Sequence, residues 1–131
     1  MTLRIASVTL VVDSYERGLG FYRDVLGLRL VSDLAMGGGK RWVVVEGPSG
    51  ARLVIAEASD ERQRAAIGNQ TGGRVGFFIE TDDFAGDHQR LKQAGVRFLE
   101  EPRHEPYGSV AVFEDPFGNK WDLIEPKTAQ S

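Results

Sequence analysis

The chain contains no cysteine. That excludes a disulfide framework and any zinc site built on thiolates, and it suits the cytoplasm, where the protein is expected to reside. Histidine is almost as scarce, with only His88 and His104. No hydrophobic run approaches the roughly 20 residues of a membrane span, so a membrane is not an expected partner. The apolar run 8–12 is too short for a signal-peptide core and has no small-residue cleavage site after it. No basic block is present either. Acidic and basic residues are interspersed and the formal net charge is −3, which argues against nucleic acid as a partner. Two further signatures are missing. There is no Gly-x-Ser-x-Gly elbow for a nucleophilic serine, and the run Gly37-Gly38-Gly39 lacks the Lys-Ser/Thr of a phosphate loop.

What is present fits one domain over residues 1–131, within the usual size range. Residues 5–12 are rich in β-branched types and read as a strand. Asp13, with Glu16 three residues on, has the spacing of a helix start. Tyr15, Leu19, Tyr22 and Leu26 then recur at helical spacing, and Gly27 closes the helix. Gly18 and Gly20 each weaken it by roughly 1 kcal/mol relative to Ala, so packing must hold it. Strands are expected at 28–34, 41–46 and 52–57, divided by Gly37-Gly38-Gly39 and Pro48-Ser49-Gly50.

The same order returns. Residues 75–81 read as a strand. Asp82 or Asp83 caps a helix carrying Phe84, His88 and Leu91, and Gly95 ends it. Strands follow at 96–100, 109–114 and 119–125. Asp82 lies 69 residues after Asp13, while Gly95 and Gly118 lie 68 after Gly27 and Gly50. The agreement of element order, caps and closing glycines marks a duplicated supersecondary unit. The reading is therefore an α+β fold with eight strands and two main helices: module one at 3–57, a linker at 58–73 with one helical turn at 60–67, and module two at 74–126. The polar tail 127–131 is expected to fray.

The segments Leu10-Val11-Val12-Asp13, Gly20-Phe21-Tyr22 and Val25-Leu26-Gly27-Leu28 resemble the first-module signature of the vicinal-oxygen-chelate superfamily, the glyoxalase, bleomycin-resistance and dioxygenase group. Asp115-Pro116-Phe117-Gly118-Asn119 followed by Leu123-Ile124-Glu125 resembles the signature that closes its second module. The likeness covers residues 5–125. It implies two tandem βαβββ modules forming a half-open mixed sheet that wraps a cavity. It does not imply one activity, because the group includes isomerases, dioxygenases, transferases and proteins that only bind drugs.

In the metal-using members, ligands from the first and last strands of each module hold a divalent ion that stabilises developing oxyanion charge. The resemblance carries these positions onto Ser7, Val54 (or Ile55), Gly76 and Asp122. Only Asp122 could bind metal, and one carboxylate does not make a site. His88 reads as a helix-face residue and His104 as a surface-loop residue. No metal and no cofactor are expected. Strand alternation then places Ser7, Thr9, Val11, Arg52, Val54, Ala56, Gly76, Phe78, Glu80, Lys120, Asp122 and Ile124 towards the cavity, with Arg52–Glu80 or Lys120–Asp122 charge pairs. Val8, Leu10, Val12, Phe77, Ile79, Trp121 and Leu123 go to the core.

The leading expectation is a metal-independent small-molecule-binding protein of the bleomycin-resistance type, a homodimer that sequesters an aromatic or cationic compound. Its candidate ligand-binding residues are Trp42, Arg52, Phe78, Glu80, Tyr107, Phe113 and Asp122. Packing is the competing role for the aromatic residues, and a solvated sheet face for the charged ones. The alternatives are an enzyme of the glyoxalase or dioxygenase type, with a degenerate site around Asp122 and Glu80 or His104, and a structural module without a small ligand.

Overall fold

A computed structural model describes residues 2–127. The polar tail, from residue 128 onward, lies outside the described residues. The chain forms two compact units that divide between Ile67 and Gly68.

The first unit runs β1 (Ser7–Val12), α1 (Tyr15–Leu19), β2 (Arg29–Gly37), β3 (Lys40–Glu46), β4 (Arg52–Glu57) and α2 (Glu61–Ala66). Beyond Leu19 the helix continues to Val25 as a widened, π-type turn, in which the Leu26 N–H reaches back to the Phe21 carbonyl at 2.8 Å. Its sheet has the order β1-β4-β3-β2. The β1–β4 pair is parallel and the other neighbours are antiparallel. The second unit runs β5 (Phe77–Glu80), α3 (Phe84–Gln93), β6 (Arg97–Phe98), β7 (Arg103–Glu105), β8 (Gly108–Glu114) and β9 (Lys120–Pro126). Its order is β5-β9-β8-β6, with β7 also paired to β8, and here β5–β9 is the parallel pair. Each unit is thus one mixed sheet with a helix after its first strand, the α+β repeat expected from the sequence.

The strand count differs from the expected eight. Nine strands stand among the described residues because the stretch after α3 breaks in two. Leu99 still donates to the Val112 carbonyl at 2.9 Å, but the Val112 N–H is taken by the Glu100 carboxylate at 2.9 Å. Pro102 has no N–H to give. The ladder resumes only at Arg103.

The caps follow the repeat closely. Ser14, rather than Asp13, is the N-cap of α1, its Oγ accepting from the Arg17 N–H at 3.2 Å. Asp13 instead pairs with the Arg17 side chain. Of the two candidates before α3, Asp83 is the cap, accepting from Gly86 at 3.1 Å. A further acceptor, a glutamate carboxylate, joins each helix start from the last strand of its own unit. Glu57 Oε2 accepts from the Tyr15 N–H at 3.0 Å, and Glu125 Oε1 accepts from the Phe84 N–H at 2.7 Å. Both satisfy orphan helix N–H groups with negative charge at the positive end of the dipole. Gly27 and Gly95 end the helices with φ of 81° and 91°, a region that favours glycine.

In the first unit, Leu10, Val12, Val43, Val45 and Ile55 are fully buried, as is Tyr22, with Leu19 nearly so. Gly18 explains the closeness of α1 to the sheet. A Cβ there would lie 2.8 Å from Ile55 Cγ2 and 3.5 Å from Val12 Cγ1. The helix meets the sheet at that level, so Val8, expected in the core, remains 49% exposed at the open end of β1. In the second unit, Trp121 stacks on Phe77 at 4.9 Å between ring centroids and on Phe113 at 6.1 Å. His88 packs between Phe84 and Phe98, at 5.7 and 4.2 Å, so it belongs to the helix–sheet interface.

Candidate functional site

Residues opposed across a ladder point to the same side of a sheet, and neighbours along a strand alternate. In the second unit Phe113 pairs with Trp121 and His104 with Ser109. These face α3, since the His104 ring meets Phe84 edge-on at 6.4 Å and its Nδ1 is hydrogen-bonded to Ser109 Oγ at 2.9 Å. The opposite parity gives the other face. Phe78 pairs with Asp122, Glu80 with Ile124, Val112 with Asp122 and Arg103 with Val110.

Of the five candidates in this unit, Phe78, Glu80 and Asp122 therefore share one face. Phe78 is 66% exposed. Tyr107 is exposed in the turn before β8. Phe113 is a correction: it is fully buried and stacked on the α3 side, where no ligand on the other face can reach it. The sheet also separates His104 from Asp122, so of the two partners the enzyme reading offered, Glu80 and not His104 lies on the Asp122 face.

Asp122 is the least satisfied polar group of this face. Its Oδ1 is buried without a hydrogen-bond partner. Burial raises its pKa above the ordinary carboxylate value, the Arg103 charge opposes that rise, and the Glu100 charge adds to it. Arg103 is itself committed. Its Nε and Nη2 donate to the two Glu100 oxygens at 2.9 and 3.2 Å, and its own pKa is raised first by that bond and then by one to Tyr107. The expected Lys120–Asp122 pair is not made, because Lys120 Nζ donates to the Gly73 carbonyl at 3.2 Å.

In the first unit, Trp42 pairs with Leu34, Val44 with Val54 and Glu46 with Arg52, all on the face turned away from the buried Val43–Ile55 pair. Trp42 is 44% exposed, with Leu34 and Met36 also exposed nearby on the hairpin. Trp42 and Arg52 thus share a face but stand about four residues apart along the strand direction, roughly 13 Å. Arg52 is held within its own unit. Its Nε donates to Glu46 at 2.9 Å, and Arg29 binds the other carboxylate oxygen. Glu46 is buried and its pKa is held below the usual value, first by Arg52 and then by Arg29. The arrangement is duplicated 68 residues on: Arg97 faces Glu114 at 3.8 Å, and Glu114 pairs with Lys120.

Glu46, Glu100 and Arg103 were not singled out from the sequence. The two-residue alternation along β3 would have placed Glu46 on the face of Trp42. The repeat offset would have exposed the Arg29/Arg97, Glu46/Glu114 and Arg52/Lys120 correspondence.

The donor set does not fit a divalent metal. Ser7 is exposed, and Val54 is buried and offers no donor atom. A side chain at Gly76 would collide with the Thr71 methyl, which is fixed by a 2.6 Å bond from Thr71 Oγ1 to the Arg74 carbonyl. Among the described residues, no three His, Cys, Asp or Glu side chains gather in a way that could hold a metal ion. No helix among them is long and apolar enough to cross a membrane.

Residues 4–123 match the Glyoxalase/Bleomycin resistance protein/Dioxygenase superfamily, and the chain belongs to it. An uncharacterized protein of Shewanella frigidimarina (strain NCIMB 400) is 43% identical over 128 residues, covering 95% of each chain. The crystal structure of UcmS2 is similar with a TM-score of 0.80 and 28% identity, over 95% of this chain and 99% of that one. TnmS3, an antibiotic binding protein from Streptomyces sp. CB03234, is similar with a TM-score of 0.76 and 26% identity, over 96% of this chain and 98% of that one.

Proposed function

We propose that the protein is a metal-independent binder that sequesters an aromatic or cationic small molecule. The observation that carries this reading is the register pair Phe78–Asp122: an aromatic ring more than half exposed beside a carboxylate whose buried oxygen has no partner. An exposed ring and an unsatisfied acceptor each cost stability in the free protein. Both are relieved by a planar ligand that covers the ring and donates to the oxygen. Trp42 with Leu34 on the first unit offers a second apolar surface. The likeness to an antibiotic binding protein supports the same reading. Within it, Trp42, Arg52, Phe78, Glu80, Tyr107 and Asp122 remain the ligand-binding candidates. We place the protein in the cytoplasm as a homodimer, since both sheets leave edge strands unpaired within their own units. Light scattering at tens of micromolar tests the assembly, and the monomer mass would refute it.

The test of binding uses Trp121→Phe protein, in which Trp42 is the sole tryptophan. A panel of planar aromatic and cationic compounds is titrated in chelator, following Trp42 emission and melting temperature. Saturable quenching with a rise in melting temperature is the expected result. No response to any compound would refute the reading. Phe78→Ala should weaken binding at least tenfold, about 1.4 kcal/mol.

A further inference from the structure

We infer that the group recognised by the second unit is a protonated primary or secondary amine, seated against Phe78 and donating an N–H to Asp122 Oδ1. This rests on the binding reading and names the ligand chemistry of that same face. Three observations carry it. The unpartnered atom is an acceptor, so its complement is a donor. Phe78, directly opposite Asp122 in the parallel ladder, presents an exposed ring to the same side, and a ring face attracts a cation. The cations of this face are already engaged: Arg103 grips Glu100 with two nitrogens, and Lys120 is bound to the Gly73 carbonyl. With Glu100 paired to Arg103 and Glu114 to Arg97, Lys120 offsets only one of the two remaining carboxylates, Asp122 and Glu80, so the face keeps a surplus negative charge and a ligand anion would meet repulsion there. The raised pKa of Asp122 points the same way, since a cation delivered to it would restore the charged form that burial disfavours.

The Arg103–Glu100 pair acts as a positioning element. By taking the Val112 N–H and holding Arg103, Glu100 keeps that guanidinium from closing on Asp122. Its removal should free Arg103 to neutralise Asp122 and compete with the amine.

The experiment compares three fluorescent probes that share one planar chromophore: daunorubicin, which carries a primary ammonium, its N-acetyl derivative and its N,N,N-trimethyl derivative. Affinity is read from probe anisotropy. The acetyl compound retains an N–H but loses the charge, while the trimethyl compound retains the charge but has no N–H. Daunorubicin should bind at least tenfold more tightly than either. Asp122→Asn should abolish that preference while leaving the acetyl affinity within about threefold. Glu100→Gln should weaken daunorubicin alone. Equal binding of all three probes would overturn the amine assignment and leave the binding reading standing. Equal binding of daunorubicin and the trimethyl compound would overturn the N–H contact to Asp122. A preference that survives in Asp122→Asn would overturn the assignment to this residue. Failure of every probe to bind would overturn both readings together.

Discussion

If Asp122 is held for a ligand, the free protein should be more stable without its charge. The perturbation is Asp122→Asn, which keeps the shape of the side chain. Leaving a buried polar atom without a partner costs about 1–3 kcal/mol when it is neutral and more when it is charged, and the substitution removes only the part due to charge. Asp122 is only partly buried and Arg103 returns some of that cost, so the net gain expected from the substitution is about 0.5–2 kcal/mol. For a chain of this length that corresponds to a rise of about 2–7 °C in melting temperature. The pH dependence fixes the cause. The folded pKa is raised above the ordinary 3.8, so between the two values the unfolded chain gives up its proton first. Native stability therefore falls as pH rises through that interval, and the penalty is constant above the folded value. The gap between Asp122→Asn and the wild type should be near zero below the ordinary value, open as pH rises and stay open at neutrality. Thermal melts from about pH 3 to 8, read by circular dichroism, measure it. A gap of the opposite sign, or one that does not change with pH, would refute the reasoning.

Glu57→Ala and Glu125→Ala should each destabilise by about 1.5–3 kcal/mol, because each removes a charge-assisted bond to a helix N-terminus; urea midpoints check this, and the two losses should add. Gly18→Ala should cost about 0.5–2 kcal/mol through overpacking against Ile55, whereas Gly20→Ala, with nothing within 4 Å of the new Cβ, should gain up to about 1 kcal/mol. Glu46→Gln should lower the urea midpoint at neutral pH. Because the Glu46 pKa is depressed below 4.5, its contribution is complete above that value and is lost as pH falls through the depressed one, so the difference should vanish in acid. Elemental analysis should find less than about 0.1 equivalent of Zn, Ni, Mn or Fe, since a lone carboxylate leaves most of the coordination to water. One equivalent lost on Asp122→Ala would show a site the side-chain positions do not suggest.

The repeat, both main helices and the closing glycines were legible because each has a local cause: a 3.6-residue period, a cap, a left-handed glycine. The break between β6 and β7 was not, because it depends on Glu100 reaching the Val112 N–H across the sheet. The face of each strand was legible by alternation wherever one anchor was sound. Phe78, Glu80 and Asp122 fell on one side, as alternation along β5 and β9 required. Phe113 was misassigned because its parity on β8 was not tied to Asp122 through Val112. The charge partners were least legible. Which arginine meets which carboxylate depends on inter-strand register, which put Glu46 opposite Arg52.

The carboxylates of Glu57 and Glu125 also bear on the order of events during synthesis. Each joins the final strand of a unit to the helix start that follows its first strand, across 42 and 41 residues. Until that glutamate has left the ribosome, the helix lacks one of its N-terminal acceptors and the parallel strand beside β1 or β5 is not yet formed. Closure of each unit is thus set at its last strand. The first can be completed before the last strand of the second has emerged, so the nascent chain passes through two separate, late ring closures, each of modest loop entropy.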